Sequence, residues 1–175
     1  FAIVTPSFNK APYLQRCLLS VLEHGPHDLD YWVLDNCSTD GSAEIIRDIA
    51  SQYSGRLNVV TERDKGQADA INRGFALAKG DIMAWLNADD AYLPHTLSTV
   101  EDFFRRNPEV DLVYGKTRIL DATFAVTGHF PVQPPNLRTL RSFDYISQPS
   151  AFWRRRVWEE VGPLDARLYW GMDWD

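Results

Sequence analysis

Short apolar runs alternate with amphipathic stretches along the first half of this chain, and that rhythm limits the possible folds more than any single residue does. Runs at 1–5, 31–35, 56–61 and 81–86 read as strands. Between them, Leu14, Leu18, Val21 and Leu22, then Ile45, Ile46, Ile49 and Tyr53, then Ala68, Ile71, Phe75 and Ala78 recur at helical spacing. Asp40 is placed as an N-cap for the second helix, and Gly80 as the stop signal of the third. Strand-then-helix repeats demand right-handed crossovers and a mostly parallel sheet. The expected class is α/β, a three-layer α/β/α sandwich around that sheet. A fourth helix through Leu97, Val100, Phe103 and Phe104 leads to a further strand at 110–115, and 121–135 is expected to be hairpin or irregular.

With 175 residues, 45% of them hydrophobic, the chain suits one domain with a substantial core. Its net charge of -6 and lack of a basic stripe exclude a general nucleic-acid binder. The densest basic cluster, Arg154, Arg155 and Arg156, reads as the exposed start of a helix. Cys17 and Cys37 make no disulfide framework; both read as small buried hydrophobes in a reducing, cytoplasmic setting. No run reaches the roughly 20 apolar residues that cross a bilayer. Because the chain begins inside a strand without Met and stops at Asp175, it is read as a piece of a longer polypeptide, with the inner face of a membrane left open as a place of work.

In a parallel sheet, ligands bind outside the carboxyl ends of the strands. There the sequence places Thr5, Pro6 and Ser7 after the first strand, Asp35 and Asn36 after the second, residues 62–65 after the third, and Asn87, Ala88, Asp89 and Asp90 after the fourth. Asp89 and Asp90 repel each other and are most easily kept ionised by a hard divalent cation, Mg²⁺ or Mn²⁺, which also takes phosphate oxygens. The alternative is that both are turn and helix-start residues before Pro94. Neither a Gly-x-Gly-x-x-Gly nor a P-loop pattern occurs, so a phosphate must be held by a cation and by side chains such as Arg63 or Lys65. Asp35 suits acceptance of a uracil or thymine imide N–H or guanine N–H groups; as an alternative it is a turn residue.

These segments together resemble the family 2 glycosyltransferases, whose nucleotide-sugar-binding fold is termed GT-A. Residues 5–9 resemble the family's opening loop, 34–42 its base-binding segment, 66–74 its central helix, 87–90 its metal motif, and 148–150, 162–165 and 171–175 the acceptor-side end of its catalytic domain. The resemblance implies one GT-A catalytic domain over 1–175, with a nucleotide-binding half at 1–90 and an acceptor-side half at 91–175. It implies that Thr5, Pro6, Ser7, Asp35, Asp64, Lys65, Asn87, Ala88 and Asp89 bind the donor, with Asp89 as the cation contact. Asp69 and Arg73 contact sugar or phosphate from the central helix, or else form surface ion pairs. Asp173 becomes the catalytic base. Two positions depart from the family: Asn87 stands where the Asp-x-Asp motif often has its first Asp, and Met172 replaces the Glu beside Asp173.

The implied activity is metal-assisted, inverting transfer of a sugar from a UDP-, GDP- or dTDP-linked donor to a saccharide or lipid-linked acceptor, as in polysaccharide biosynthesis. A non-catalytic nucleotide-sugar-binding domain and a sugar-nucleotidyltransferase are the alternatives. Trp153, Trp170 and Trp174 are expected either to stack on sugars or to fill the core, and residues 143–153 to border the acceptor.

Overall fold

The computed structural model describes residues 1–168, 171 and 172. Strand β1 (Ala2–Ser7) is buried along its whole length and pairs in parallel with β2 (Asp30–Asp35) on one side and β4 (Ile82–Trp85) on the other. Beyond β2 lies β3 (Leu57–Thr61), also parallel. Helix α1 (Ala11–Leu22) connects β1 to β2, α2 (Ser42–Gln52) connects β2 to β3, and α3 (Gln67–Leu77) connects β3 to β4. After α4 (Thr96–Arg106), β5 (Leu112–Val113) forms the sheet edge. A separate antiparallel hairpin, β6 (Arg118–Leu120) and β7 (Val126–His129), follows. The chain then passes through the short helix α5 (Leu137–Leu140) and a 3-10 turn (Gln148–Ser150) to β8 (Phe152–Arg154) and α6 (Arg155–Val161). The six-stranded order is β3-β2-β1-β4-β8-β5, parallel except around β8, which runs antiparallel to both neighbours.

Side-chain alternation along β1 divides the core into two layers. Ile3 faces Leu14, Leu18 and Val21 of α1, Ile46 and Ile49 of α2, and Leu97 and Phe104 of α4. Ala2 and Val4 face Ala68, Ile71 and Phe75 of α3. The three-layer expectation therefore holds, with α1, α2 and α4 on one face and α3 and α6 on the other. Trp153 lies in the second layer, edge-on to Phe75 at 5.7 Å and to Trp85 at 5.5 Å, so it is core rather than a sugar platform. Trp170 and Trp174 lie outside the described residues.

Several local expectations are corrected. Asp40 sits one residue before the N-cap Gly41, and its carboxylate accepts from the Ser42 N–H and hydroxyl and from the Ala11 N–H, so it ties the starts of α1 and α2 together. Cys37 is half-buried with a φ of 53°, a turn residue rather than a core one. Phe103 is exposed, and the strand expected at 110–115 is reduced to two residues. The arginine cluster does open a helix, α6, and Arg156 is exposed, but the other two side chains are engaged internally. Arg154 donates to the Phe104, Asn107 and Val110 carbonyls, Arg155 to the Ala78 and Gly80 carbonyls, and Arg156 pairs with Asp111. Guanidiniums thus satisfy carbonyls left open where α3 and α4 end.

Gly80 does not cap α3, which ends at Leu77 with Ala78 extended. Its reason is space: a Cβ there would lie 2.2 Å from the Phe1 carbonyl carbon and 2.4 Å from the Ala2 nitrogen. Gly80→Ala is accordingly expected to cost about 1–3 kcal/mol through forced backbone movement at the start of β1. Thermal unfolding should show a midpoint several degrees lower; an unchanged midpoint would mean that residue 80 moves freely.

Candidate active site

The strand order reverses between β1 and β4, because β2 and β3 lie to one side of β1 while β4 continues to the other. Ligands of open α/β sheets bind in the crevice beyond the strand ends at such a switch point. The chain segments that follow β1 and β4 supply its walls. The cleft has a volume of about 530 Å³ and is bordered by Pro6, Ser7 and Phe8, by Asp64, Lys65 and Gln67, and by Asn87, Ala88 and Asp89.

Seven of the anticipated residues, Pro6, Ser7, Asp64, Lys65, Asn87, Ala88 and Asp89, meet in this cleft. Ser7 is buried, and its hydroxyl has no hydrogen-bond partner within the described protein. An orphaned hydroxyl on a cleft wall is an acceptor or donor held ready for a ligand. Asp64 accepts from the Gly66 N–H at 2.9 Å, while partial burial raises its pKa.

The other anticipated residues do not border the cleft. Thr5 alternates onto the α1 face of β1, where its hydroxyl is 2.8 Å from the Tyr31 hydroxyl. Asp35 is 1% exposed; one carboxylate oxygen accepts from the Ser38 N–H at 2.9 Å and the other from the Ser38 hydroxyl at 2.5 Å. That organises the turn after β2 and still leaves lone pairs on both oxygens. Asp69 accepts from the Lys65 N–H, positioning the segment that carries Lys65. Arg73 pairs with Glu62 and donates to the Arg63 carbonyl. Asp173 lies outside the described residues, and its neighbour Met172 is buried beneath α3.

The acid pair forms a tight turn, closed by the Asp90 N–H on the Asn87 carbonyl at 2.9 Å. It is not a helix start, since α4 begins only at Thr96 and Pro94 lies outside it. The Asp89 side chain is 42% exposed, and Lys10 Nζ lies 2.6 Å from its Oδ2. The carboxylate therefore already receives a cation at the cleft wall. Among the described residues no group of three or more His, Cys, Asp and Glu side chains could hold a metal unaided. A hard divalent ion binds through one or two carboxylates plus substrate phosphates, so Asp89 at an open cleft fits such an ion when a diphosphate shares it.

Burial first, and the neighbouring Asp89 second, push the Asp90 carboxyl up to about 6 from its ordinary 3.8. A folded-state pKa above the unfolded value means that ionisation opposes folding. The penalty is absent below about pH 4, grows between pH 4 and 6, and is full above 6. In the presence of chelator, Asp90→Asn should stabilise the fold at pH 7.5 by about 1–2 kcal/mol and have no such effect at pH 4. Unfolding midpoints of the two proteins at both pH values decide this; equal shifts at both would assign the gain to packing.

Lys10 is a functional candidate that sequence reasoning missed, and Gln67 and Gln148, singled out there only as parts of longer segments, gain a specific place beside Asn87. Gln67 donates to the Asn87 side-chain carbonyl at 2.6 Å, the Asn87 amide donates to Gln148 at 3.1 Å, and Gln148 donates to the Trp85 carbonyl at 2.8 Å. Asn87 is thus a link in a chain of amides that fixes the turn beside Asp89.

The sequence pattern that defines glycosyl transferase family 2 matches residues 2–160. A PGL/p-HBAD biosynthesis glycosyltransferase of Mycobacterium bovis is 32% identical over 176 residues, covering 100% of this chain and 67% of that protein. An uncharacterized glycosyltransferase of Nostoc sp. is 28% identical over 173 residues, covering 94% of this chain and 53% of that protein. An O-antigen biosynthesis protein of Myxococcus xanthus is 34% identical over 168 residues, covering 93% of this chain and 13% of that protein. Among solved structures, the Pyrobaculum calidifontis mannosyltransferase PcManGT, in complex with GDP-Man and Mn²⁺, superposes with a TM-score of 0.72 at 23% identity over 98% of this chain and 48% of that one. S. aureus TarS 1-349 in complex with UDP gives 0.75 at 16% identity over 98% of this chain and 52% of that one. These two likenesses concern the fold, which is GT-A, and the chain spans about half of each solved protein. With the family pattern covering nearly its whole length, this chain belongs to glycosyl transferase family 2.

Proposed function

We propose that the chain is the donor-binding core of an inverting glycosyltransferase that moves a sugar from a nucleoside-diphosphate donor to an acceptor hydroxyl, assisted by a divalent cation. The observation that carries this reading is the cleft at the β1/β4 switch point, where an exposed Asp89 carboxylate already draws an ammonium group. Support also comes from the fold neighbours that bind GDP-Man with Mn²⁺ and UDP.

In this mechanism Asp89 would hold the cation, and Lys65 and the Ser7 hydroxyl, both on the cleft wall, would meet the diphosphate oxygens. When bound, the cation would supply positive charge against the negative charge that builds on the leaving diphosphate. Asp35 keeps the turn after β2 in shape and accepts N–H groups of the base through its remaining lone pairs. Asp64 and Asn36 border the same side of the cleft. Asp173 takes the proton of the attacking hydroxyl as the bond from the anomeric carbon to the diphosphate oxygen breaks. Attack from the opposite face inverts the configuration. Relatives named for PGL/p-HBAD and O-antigen biosynthesis favour a saccharide or lipid-linked acceptor. Among the described residues no helix is long and apolar enough to cross a membrane.

A thermal-shift panel of UDP-, GDP- and dTDP-sugars with Mn²⁺ tests the reading, since a ligand bound only by the native state raises its melting temperature. One donor class should raise it by several degrees, and chelator should remove the effect. No shift with any donor overturns the proposal. Binding without release of nucleoside diphosphate would indicate a non-catalytic domain, and pyrophosphate release from a nucleoside triphosphate a nucleotidyltransferase.

A further inference from the structure

A second cleft, of about 770 Å³, opens on the other side of the Lys10–Asp89 pair. Both residues border both clefts, so a ligand in the second cleft lies directly across this pair from the donor site. Its floor is the turn at residues 89–93, one wall is α1, and the hairpin β6–β7 forms the roof. The hairpin stands apart from the main sheet, and its tip reaches α1 through one ring. Phe124, at a φ of 63°, lies edge-on to Tyr13 at 6.2 Å and beneath the Arg16 guanidinium at 4.7 Å. The roof is therefore a strap fastened at its tip by an aromatic and cation–π contact.

The charges around this cleft are distinctive in a chain of net charge -6. Asp89 is paired with Lys10, and Asp121 is occupied within its own turn by the Thr123 hydroxyl and the Thr123 and Ala125 N–H groups. Arg16, Lys116 and Arg118 also border the cleft. Among the described residues none of the three has a carboxylate within 4.0 Å. Three cations without an ion-pair partner converge on one concave surface, against two remaining acids, Asp90 and Asp121, the latter held ionised by its own turn. Tyr13, Phe124 and Phe130 add ring faces of the kind that cover the apolar faces of sugars.

We propose that this second cleft binds the acceptor, and that the acceptor is a saccharide bearing an anionic group, a carboxylate or a phosphate, held by Arg16, Lys116 and Arg118 beneath the β6–β7 strap. The proposal rests on the donor-site reading above. Convergent cations on a concave surface draw in anionic ligands, and guanidiniums match carboxylate and phosphate geometry bidentately. Placed there, the acceptor adjoins the donor site through the two residues that border both clefts, Lys10 and Asp89.

The test uses the full-length protein with Mn²⁺ and its preferred nucleoside diphosphate. Three probes are titrated calorimetrically: a glucuronate-containing tetrasaccharide, a neutral tetrasaccharide of the same length, and a sugar linked to a short-chain polyprenyl diphosphate. At least one anionic probe should bind tenfold or more tightly than the neutral one, with affinity falling as salt rises. The better of the two identifies the source of the anion. The exposed double substitution Lys116→Glu and Arg118→Glu should reduce that binding at least tenfold while nucleoside diphosphate affinity stays within twofold. Equal binding of neutral and anionic probes, or an unaffected double variant, overturns the proposal while leaving the donor reading intact. Failure of nucleoside diphosphate to bind wild type would instead overturn the donor reading, with the probe comparison still deciding whether the cleft takes anionic saccharides.

Discussion

Replacing Asp89 with alanine is expected to lower the Mn²⁺-dependent affinity for a nucleoside diphosphate by about 100-fold or more, the scale on which a metal site loses affinity when its ligand sphere is damaged. The fold should survive, because the side chain is 42% exposed and lies in a turn closed by backbone bonds. The variant carries its own control. Its removal releases Lys10, so with chelator present the variant should bind diphosphate at least as well as wild type, the freed ammonium now facing the cleft. Calorimetry with and without chelator measures both effects. Wild type binding equally well in either condition would rule out a cation role for Asp89.

Asp173→Asn is expected to lower turnover by about 10²–10⁴-fold, the usual contribution of a positioned general base. Donor binding should stay near wild type, because in the proposed mechanism the proton that Asp173 removes is the acceptor's. Steady-state transfer rates and donor affinities of the full-length pair separate the two quantities. A variant within a few-fold of wild type would move the base elsewhere, with Asp175 the nearest alternative. The adjacent residue sharpens the test: Met172 is buried against the α3 layer and has no charge to offer, so the position before Asp173 supplies no second carboxylate.

The first four strands and four helices were legible because each carries its own period. Leu14, Leu18, Val21 and Leu22 bury one stripe of α1, and the buried run of β1 needs helices on both faces. β8 was not legible. Three residues, Phe152 to Arg154, have no measurable period, and what makes them a strand is the open edge of β4 beside them. Arg154 and Arg155 misled for the same reason: their partners are carbonyls 44 to 77 residues away in the chain, which local charge counting does not see. At the candidate site, the strand-end rule brought Ser7, Lys65 and Asp89 together correctly. It could not find Lys10, whose contact with Asp89 spans 79 positions, nor tell that Asp35 is buried and accepts from Ser38 through both oxygens.

The pairing of β4 with β8 sets the order in which this molecule can be made. As the chain leaves the ribosome, β1 to β4 and their helices are complete once residue 85 has emerged, yet the outer side of β4 has no partner until residues 153 and 154 arrive. Until then Met83 and Trp85, buried in the finished protein, flank an unpaired strand edge of the kind that recruits other chains. A break at residue 90 would make that interval permanent. Residues 1–90 alone are therefore expected to aggregate, and the chain that follows acts as their folding partner as well as their continuation.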